Sequence, residues 1–579
     1  MQKRYKGYIV SLFALTTLIV GLFGANFVFA KSQSHNISRQ HVTSSANPAT
    51  ARMVAMHTVN MQNVPKATAR LSNHRPRVMP LLTGVSSTVY AQRKAAAAHN
   101  PHAPINTHPY STPTVDGSTT PIATTKFQGM SDSSSICPYF GGCQPPDMAL
   151  ATSPSFVFQG VNTSFAVYST SGNLQSGWPK TAQSFFGVPN PGSCDFNGPF
   201  LSDPRAFYDI NDGRFWTAEL QVEGAFGLNS CPFRTLYWIA VSQSSNPNGV
   251  WNVYAFDMSL GTTNAADYTQ FGLNGSSVYF SANMFNNAGN VYEYAEVLGA
   301  NKSLMESGLN VTSKGFSNLR VNGTVVDTVQ PVLSESHSYG PRTEFLVNSF
   351  NINSGGGECS FGCSGLVVWS LANVNTTPSL SATVISTSTY TLAPQADEPG
   401  CFQCIETLDT RITATPVYHD GLISFALETG VNNGSQILPG ILWGQVSPVI
   451  NDSSVITSAS LYQSGLLFFG GDNAISFGAL MPDEEGNLFM VFDSMSNTIS
   501  PSISYLARRV TNTLGRFHDN GKFLIKSSTP TGDSRWGDYS ATSYDGFSTD
   551  NVWFAAEYSA SNSDWSTYIG KDQFTFSNP

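Results

Sequence analysis

The sequence predicts an all-β fold: a β-propeller, most simply of seven blades (six or eight being the alternative counts), preceded by a disordered tail. Three observations predict it. Only 12% of the 579 residues are charged, about half the usual share, which excludes coiled coils and long helical arrays because their faces need charge. Aromatic residues make up 12% of the chain, with 49 Gly and 32 Pro, the composition of many short strands joined by turns. Finally, one pattern recurs seven times along residues 147–579, and internal repetition of strand-rich units is the signature of a propeller.

The chain opens with Lys3, Arg4 and Lys6, followed by an apolar run from Tyr8 to Val28 and a small-residue cleavage pattern at Val28-Phe29-Ala30. Residues 1–30 read as a signal peptide, the alternative being an uncleaved membrane anchor. Either places the remainder outside the cytoplasm, secreted or attached to the cell surface. No later apolar stretch is long enough to span a bilayer.

Residues 31–130 carry ten Lys or Arg against one acid, Asp116, and seven of the ten histidines. This Ala-, Ser-, Thr-, Pro- and His-rich segment reads as a disordered stalk or pro-segment with one short helix within Val78–Ala98. The reading kept beside it is that the basic segment folds back onto the body. Residues 131–579, the propeller domain, carry 16 Lys or Arg and 37 acids. A basic arm could bind nucleic acid or a cell-wall polyanion, but such an arm is more often a solvated tether, and no nucleic-acid partner is expected. The expected partner is an extracellular glycan or protein, and the expected state a monomer.

Each repeat begins at an aspartate, continues as a short strand, turns, and resumes as an aromatic-rich strand. The aspartates are Asp147, Asp203, Asp267, Asp327, Asp409, Asp472 and Asp538, spaced 56, 64, 60, 82, 63 and 66 residues apart. Second strands read Arg214-Phe-Trp-Thr-Ala-Glu-Leu, Asn487-Leu-Phe-Met-Val-Phe and Asn551-Val-Trp-Phe-Ala-Ala-Glu. The last copy is short, so its outer strand is expected from the N-terminal side, closing the ring. An array of sandwiches is the main rival architecture.

If the repeats are equivalent, the seven aspartates gather at one end of a central channel. Two readings follow. Asp accepts backbone N–H bonds in turns, which makes the recurrence structural. Alternatively the carboxylates do chemistry or hold a cation. Asp203, Asp267, Asp409 and Asp538, with Tyr268 and Tyr539 beside them, are the catalytic candidates. Asp147, Asp327 and Asp472 are candidates for calcium, which takes several oxygen ligands. Arg205, Arg411 and Arg535 lie two or three residues from a repeat aspartate and are the ligand-binding candidates, able to clamp a carboxylate. Paired carboxylates could serve glycoside hydrolysis. Asp483-Glu-Glu-Gly is a further acidic turn.

The eight cysteines all follow the signal and form four neighbouring pairs: Cys137 with Cys143, Cys194 with Cys231, Cys359 with Cys363, and Cys401 with Cys404. They read as disulfide staples of an exported protein. Cys401-Phe-Gln-Cys404 also has redox or zinc spacing, but no second CxxC completes a zinc site.

The stretches Pro145-Pro-Asp-Met, Asp203-Pro-Arg-Ala-Phe-Tyr-Asp, Ile239-Ala-Val-Ser-Gln-Ser-Ser-Asn-Pro-Asn-Gly-Val-Trp and Ser534-Arg-Trp-Gly-Asp-Tyr-Ser resemble a group of exported bacterial proteins regarded as propeller-like. The resemblance covers most of residues 140–579 and implies export and fold. This chain has Met148 and Ala149 where those proteins often have Thr-Asn-Gly. The sialidase parts list of three arginines, a tyrosine and an acid is similar, but the Phe-Arg-Ile-Pro signature is absent. The Asp-box is only echoed at Ser244–Trp251, with Asn246 in the Asp position. Two functions follow: a binding module for a glycan, peptide or cell-surface partner, and alternatively a secreted glycoside hydrolase.

Overall fold

A computed structural model describes residues 42–574, apart from 68–76, 79–80, 107–108, 114–119, 133–142, 190–199, 224–233, 335–342, 355–358, 360, 519, 532–534, 547 and 561–562. The described residues belong to one compact unit, Gln40–Pro579. The signal-peptide reading and Cys137, Cys194 and Cys231 fall outside them, as does the side chain of Cys143.

Among the described residues, seven antiparallel sheets of four or more strands follow one another along the chain, as the repeat predicts. Blade 1 runs from Ala149–Thr152 to Lys180–Thr181, blade 2 from Phe200–Asp209 to Val250–Asp257, and blade 3 from Ala265–Leu273 to Ser313–Val321. Blade 4 runs from Gln330–Pro331 to Ser379–Tyr390, blade 5 from Val417–His419 to Ile456–Leu467, and blade 6 from Ala474–Pro482 to Lys522–Ile525. Blade 7 has Ala541–Asp545 innermost, then Ser548–Ala560 and Ser563–Asp572. The innermost strands touch in succession and close into a ring, with Leu333 bridging to Val417 between blades 4 and 5.

Blades stack face to face, so the middle strands bury both faces. That is why they read as continuous apolar runs rather than alternating ones. Leu488–Ser496 is buried at every residue. Trp216, Trp251, Trp369, Trp443 and Trp553 fill the spaces between sheets. Trp251, in the Asp-box echo, is a packed residue closing a turn, its Nε1 donating to Pro247 O at 2.9 Å.

The fourth strand of blade 7 is Thr125–Ser131, paired antiparallel to Ser563–Asp572. The predicted N-terminal closure is therefore present. The stalk expected over residues 31–130 is not what the described residues there form. Ser44–Ala51 adds a fifth strand to blade 3 against Ser313–Val321, and Met53–Asn60 adds one to blade 2 against Val250–Asp257. Their composition misleads because an outer strand needs no two-sided apolar burial; its work is to pair an otherwise open sheet edge. The short helix expected within Val78–Ala98 is α1 (Ser87–Ala97), capped by Ser86, whose Oγ accepts from Val89 N at 3.3 Å. The reading in which the basic segment folds onto the acidic body thus describes these residues.

Candidate functional site

The innermost strands are kinked where the repeat aspartates fall. Pairing register jumps between Ser202 and Arg205, Asp267 and Gln270, and Ser476 and Ala479. Each bulge carries one left-handed residue: Asp203 (φ 60°), Tyr268 (φ 52°) and Phe477 (φ 56°). Thr328, Leu408 and Gly537 hold the same conformation leading into blades 4, 5 and 7. Such backbone is costly for non-glycine residues and persists only where the surroundings enforce it.

Set against this kink, the seven aspartates are not equivalent. Asp203 is the left-handed residue itself, Asp267 and Asp327 precede it, and Asp409 and Asp538 follow it. Asp472 lies outside the kink, in a turn where it accepts Asn497 N at 3.2 Å. The idea of seven equivalent carboxylates is corrected accordingly: five of the aspartates sit at or within one residue of a left-handed position, on either side of it, and Asp472 does not.

The kink frees backbone amides from the ladder, and acceptors from adjoining blades take them up. Asp203 N donates to Asn162 Oδ1 (2.8 Å), Thr269 N to Asp203 Oδ2 (3.0 Å), and Thr328 N to Asn283 Oδ1 (2.7 Å). Phe477 N donates to Glu428 Oε1. The ring of blades is thus laced by polar bonds at one level of the channel.

All three candidate arginines are buried at this level. Arg535 grips Asp538, Nη2 to Oδ2 at 2.7 Å, with Nη1 donating to the other oxygen and to Gly537 O. Arg411 grips its own Asp409, Nε to Oδ1 at 2.7 Å and Nη2 to Oδ2 at 2.6 Å. Among the described residues no carboxylate pairs with Arg205 and its Nε and Nη2 have no hydrogen-bond partner; its guanidinium lies 3.4 Å from the centre of the Tyr539 ring. Arg411 lies 4.3 Å from the Tyr268 ring, and the two tyrosines meet edge to face at 6.1 Å. Arg205, Tyr539, Tyr268 and Arg411 therefore form one cation–aromatic stack. Its hydroxyls are engaged: Tyr539 donates to Pro204 O (3.0 Å) and Tyr268 to Thr413 O (3.1 Å).

Burial dominates the electrostatics. It pushes the Asp147 and Asp267 carboxyls well above the usual range, helped by neighbouring aspartates, and pushes Asp203 to about 6. Burial also acts on Asp409, but the Arg411 guanidinium outweighs it and holds that carboxyl below the usual range. Both tyrosine hydroxyls are pushed up by burial.

The calcium candidates Asp147, Asp327 and Asp472 do not converge. Among the described residues, the acidic oxygens that do come together belong to Asp209, Asp212 and Glu306, and the Lys302 ammonium bridges Asp209 and Asp212 there. Asp483 accepts the amides of Glu485 and Asn487 in its own turn. Cys359–Cys363 and Cys401–Cys404 are disulfides, as the staple reading expected.

At the channel mouth lies a cavity of about 290 Å³, lined by Arg411, Asp409 and Asp327, by Asn283, Phe285 and Tyr292 of blade 3, and by Leu82, Val85, Tyr90 and Arg93. The sequence reading missed this wall. α1 is fastened there by Lys94, 2% exposed, which donates to Thr407 Oγ1 (2.8 Å) and Leu408 O (2.7 Å) and lies 3.2 Å from Glu406. Tyr90 OH donates to Glu406 Oε1 at 3.0 Å. The signal was present: Tyr90 and Lys94, four apart on the expected helix, share one face. Gly84 (φ +72°) closes the loop onto blade 3, where a Cβ would meet Tyr292 Cβ at 2.9 Å.

No protein-family model and no curated relative matches the sequence. Solved structures match in fold. The Dos1 propeller superposes with a TM-score of 0.34 at 8% identity, over 77% of this chain and 94% of that one. The Trypanosoma rangeli sialidase, solved with sialic acid, has a TM-score of 0.34 at 7% identity, over 69% of this chain and 60% of that one. Drosophila Plexin A, solved with Semaphorin 1b, has a TM-score of 0.26 at 10% identity, over 78% and 88%. The chain is a seven-bladed β-propeller, and these likenesses carry nothing about its ligand.

Proposed function

We propose that this protein is an exported recognition propeller, binding a glycan, peptide or cell-surface partner at the mouth of its channel without transforming it. One observation carries the reading. Two of the carboxylates that would do chemistry in the channel are already gripped by its arginines, Asp538 by Arg535 and Asp409 by Arg411. A general acid or nucleophile needs an open path to substrate, and Asp203 and Asp538 are each only 5% exposed. The mouth cavity, by contrast, offers space beside polar and aromatic side chains, as a binding site requires. Export is supported by the leader-like residues 1–30 and by the disulfides. Among the described residues no helix is long and apolar enough to cross a membrane.

The hydrolase reading keeps one observation in its favour, since Asp327 and Asp409 line the same cavity. The deciding experiment is product release by the full chain from a panel of neutral polysaccharides and sialosides at pH 4 and pH 7, beside ligand retention on glycan and peptide arrays. Retention without product is the expected result. Release that Asp327→Asn or Asp409→Asn abolishes overturns the recognition reading.

A further inference from the structure

We infer that the mouth cavity takes one neutral sugar ring, and that the N-terminal segment around α1 is a constituent wall of this binding site. The inference rests on the recognition reading and names its ligand. Three features of the cavity converge on that chemistry.

The first is size. About 290 Å³ accommodates one or two pyranose rings and little more, at the small end of the range for small-molecule sites, which begins at roughly 300 Å³. The second is the two-faced lining. Leu82, Val85 and Phe285 present apolar surface, while Asp327 and the side of Asp409 turned away from Arg411 present carboxylate oxygens. A pyranose has the same division, an apolar face of C–H groups and an edge of hydroxyls that each donate and accept. Carboxylates suit that edge because each oxygen accepts hydrogen bonds from hydroxyls. The third is charge. The cavity is lined by two acids, Asp327 and Asp409, and two arginines, Arg93 and Arg411. A balanced lining gives no net attraction to an anion or a cation, and burying an unmatched charge there is costly.

The wall makes the site composite. Tyr90 and Arg93 come from α1, and the loop before it is pressed on Tyr292 at Gly84. Lys94 pins this wall from within through Glu406, Thr407 and Leu408. A segment far in sequence from the repeats therefore supplies part of the ligand's surroundings.

The test uses the full chain and calorimetric titration with glucose, galactose, mannose and N-acetylglucosamine, beside galacturonate and glucosamine as charged counterparts. At least one neutral sugar should bind, with its charged counterpart at least about tenfold weaker. Arg93→Gln on the wall and Asp327→Asn on the blade should each weaken that binding about tenfold, the loss of one charge-assisted hydrogen bond. Thermal unfolding of each variant checks that the fold is kept. Preference for a charged sugar, no sugar binding at all, or binding untouched by both variants overturns the inference. Sugar turned over to product leaves the ligand class standing and removes the recognition reading. A peptide retained in place of any sugar, and lost in both variants, keeps that reading and removes the sugar.

Discussion

Asp572 offers a test of how burial sets the pH dependence of this fold. It ends the third strand of blade 7 and is fully buried. Its Oδ1 accepts Gln573 N at 2.8 Å, while Oδ2 has no hydrogen bond. Burial pushes this carboxyl to about 7, against 3.8 when exposed, with the Gln573 amide and Lys522 opposing. A carboxyl whose folded value is raised favours the folded state most below the unfolded value, near pH 4, and loses that advantage as pH rises through 7. Three pH units at about 1.4 kcal/mol each give about 4 kcal/mol lost between pH 4 and pH 8. With about 2.1 cal/mol/K per residue over roughly 500 residues, that corresponds to about 4 °C in Tm. Asp572→Asn keeps the shape and removes the charge. The variant should melt with the wild type at pH 4 and about 4 °C above it at pH 8, measured by scanning fluorimetry at one scan rate. Equal effects at both pH values, or a lower Tm for the variant at pH 8, would refute the reasoning.

Three other perturbations have defined outcomes. Lys94→Met leaves Glu406 buried without its cation, a loss of about 3–5 kcal/mol for a broken buried pair, and should expose residues 81–100 to limited proteolysis at a rate well above the wild type. Gly546→Ala places a Cβ 2.4 Å from Ser153 Cα and 2.5 Å from Thr152 O; this is backbone at the junction of blades 7 and 1, so the urea midpoint should fall by the equivalent of about 1–3 kcal/mol. Replacing Cys401 and Cys404 together by Ser removes a bridge between residues only three apart in sequence, which constrains the unfolded chain little, so stability should fall by no more than about 2 kcal/mol; a larger fall would mean the hairpin braces its neighbours.

The blades were legible because their physics is local. A strand buried on both faces has to be apolar at every position, so Asn487-Leu-Phe-Met-Val-Phe could hardly be anything else. The closing strand followed from arithmetic, the last repeat being too short to finish its own sheet. Outer strands left no such mark. Ser44–Ala51 has the burial pattern of a half-exposed edge, and Ser-Ser-Ala-Asn-Pro-Ala-Thr-Ala is equally the composition of a tether. What distinguishes the two is the open edge of blade 3, more than 250 residues away, and no local pattern reports a partner at that range.

The channel residues show a subtler limit. Sequence supplied the right side chains: Arg205, Arg411, Tyr268 and Tyr539 do form one stack, and Arg535 does lie on Asp538. It could not say which of them would be left over for a ligand. That depends on distances of a few ångströms, because a guanidinium that reaches its own carboxylate at 2.6 Å no longer offers that face to anything else. The kink decides it. A left-handed residue turns the chain so that Asp409 and Arg411, two apart, meet end on, and it releases amides that Asp203, Asn283 and Glu428 then accept. The amides freed by the kink are taken up inside the ring, which is a reason for aspartate to recur there without any substrate. Open space lies instead at the mouth, where blades 3 to 5 and the N-terminal helix leave a cavity that their own side chains do not fill.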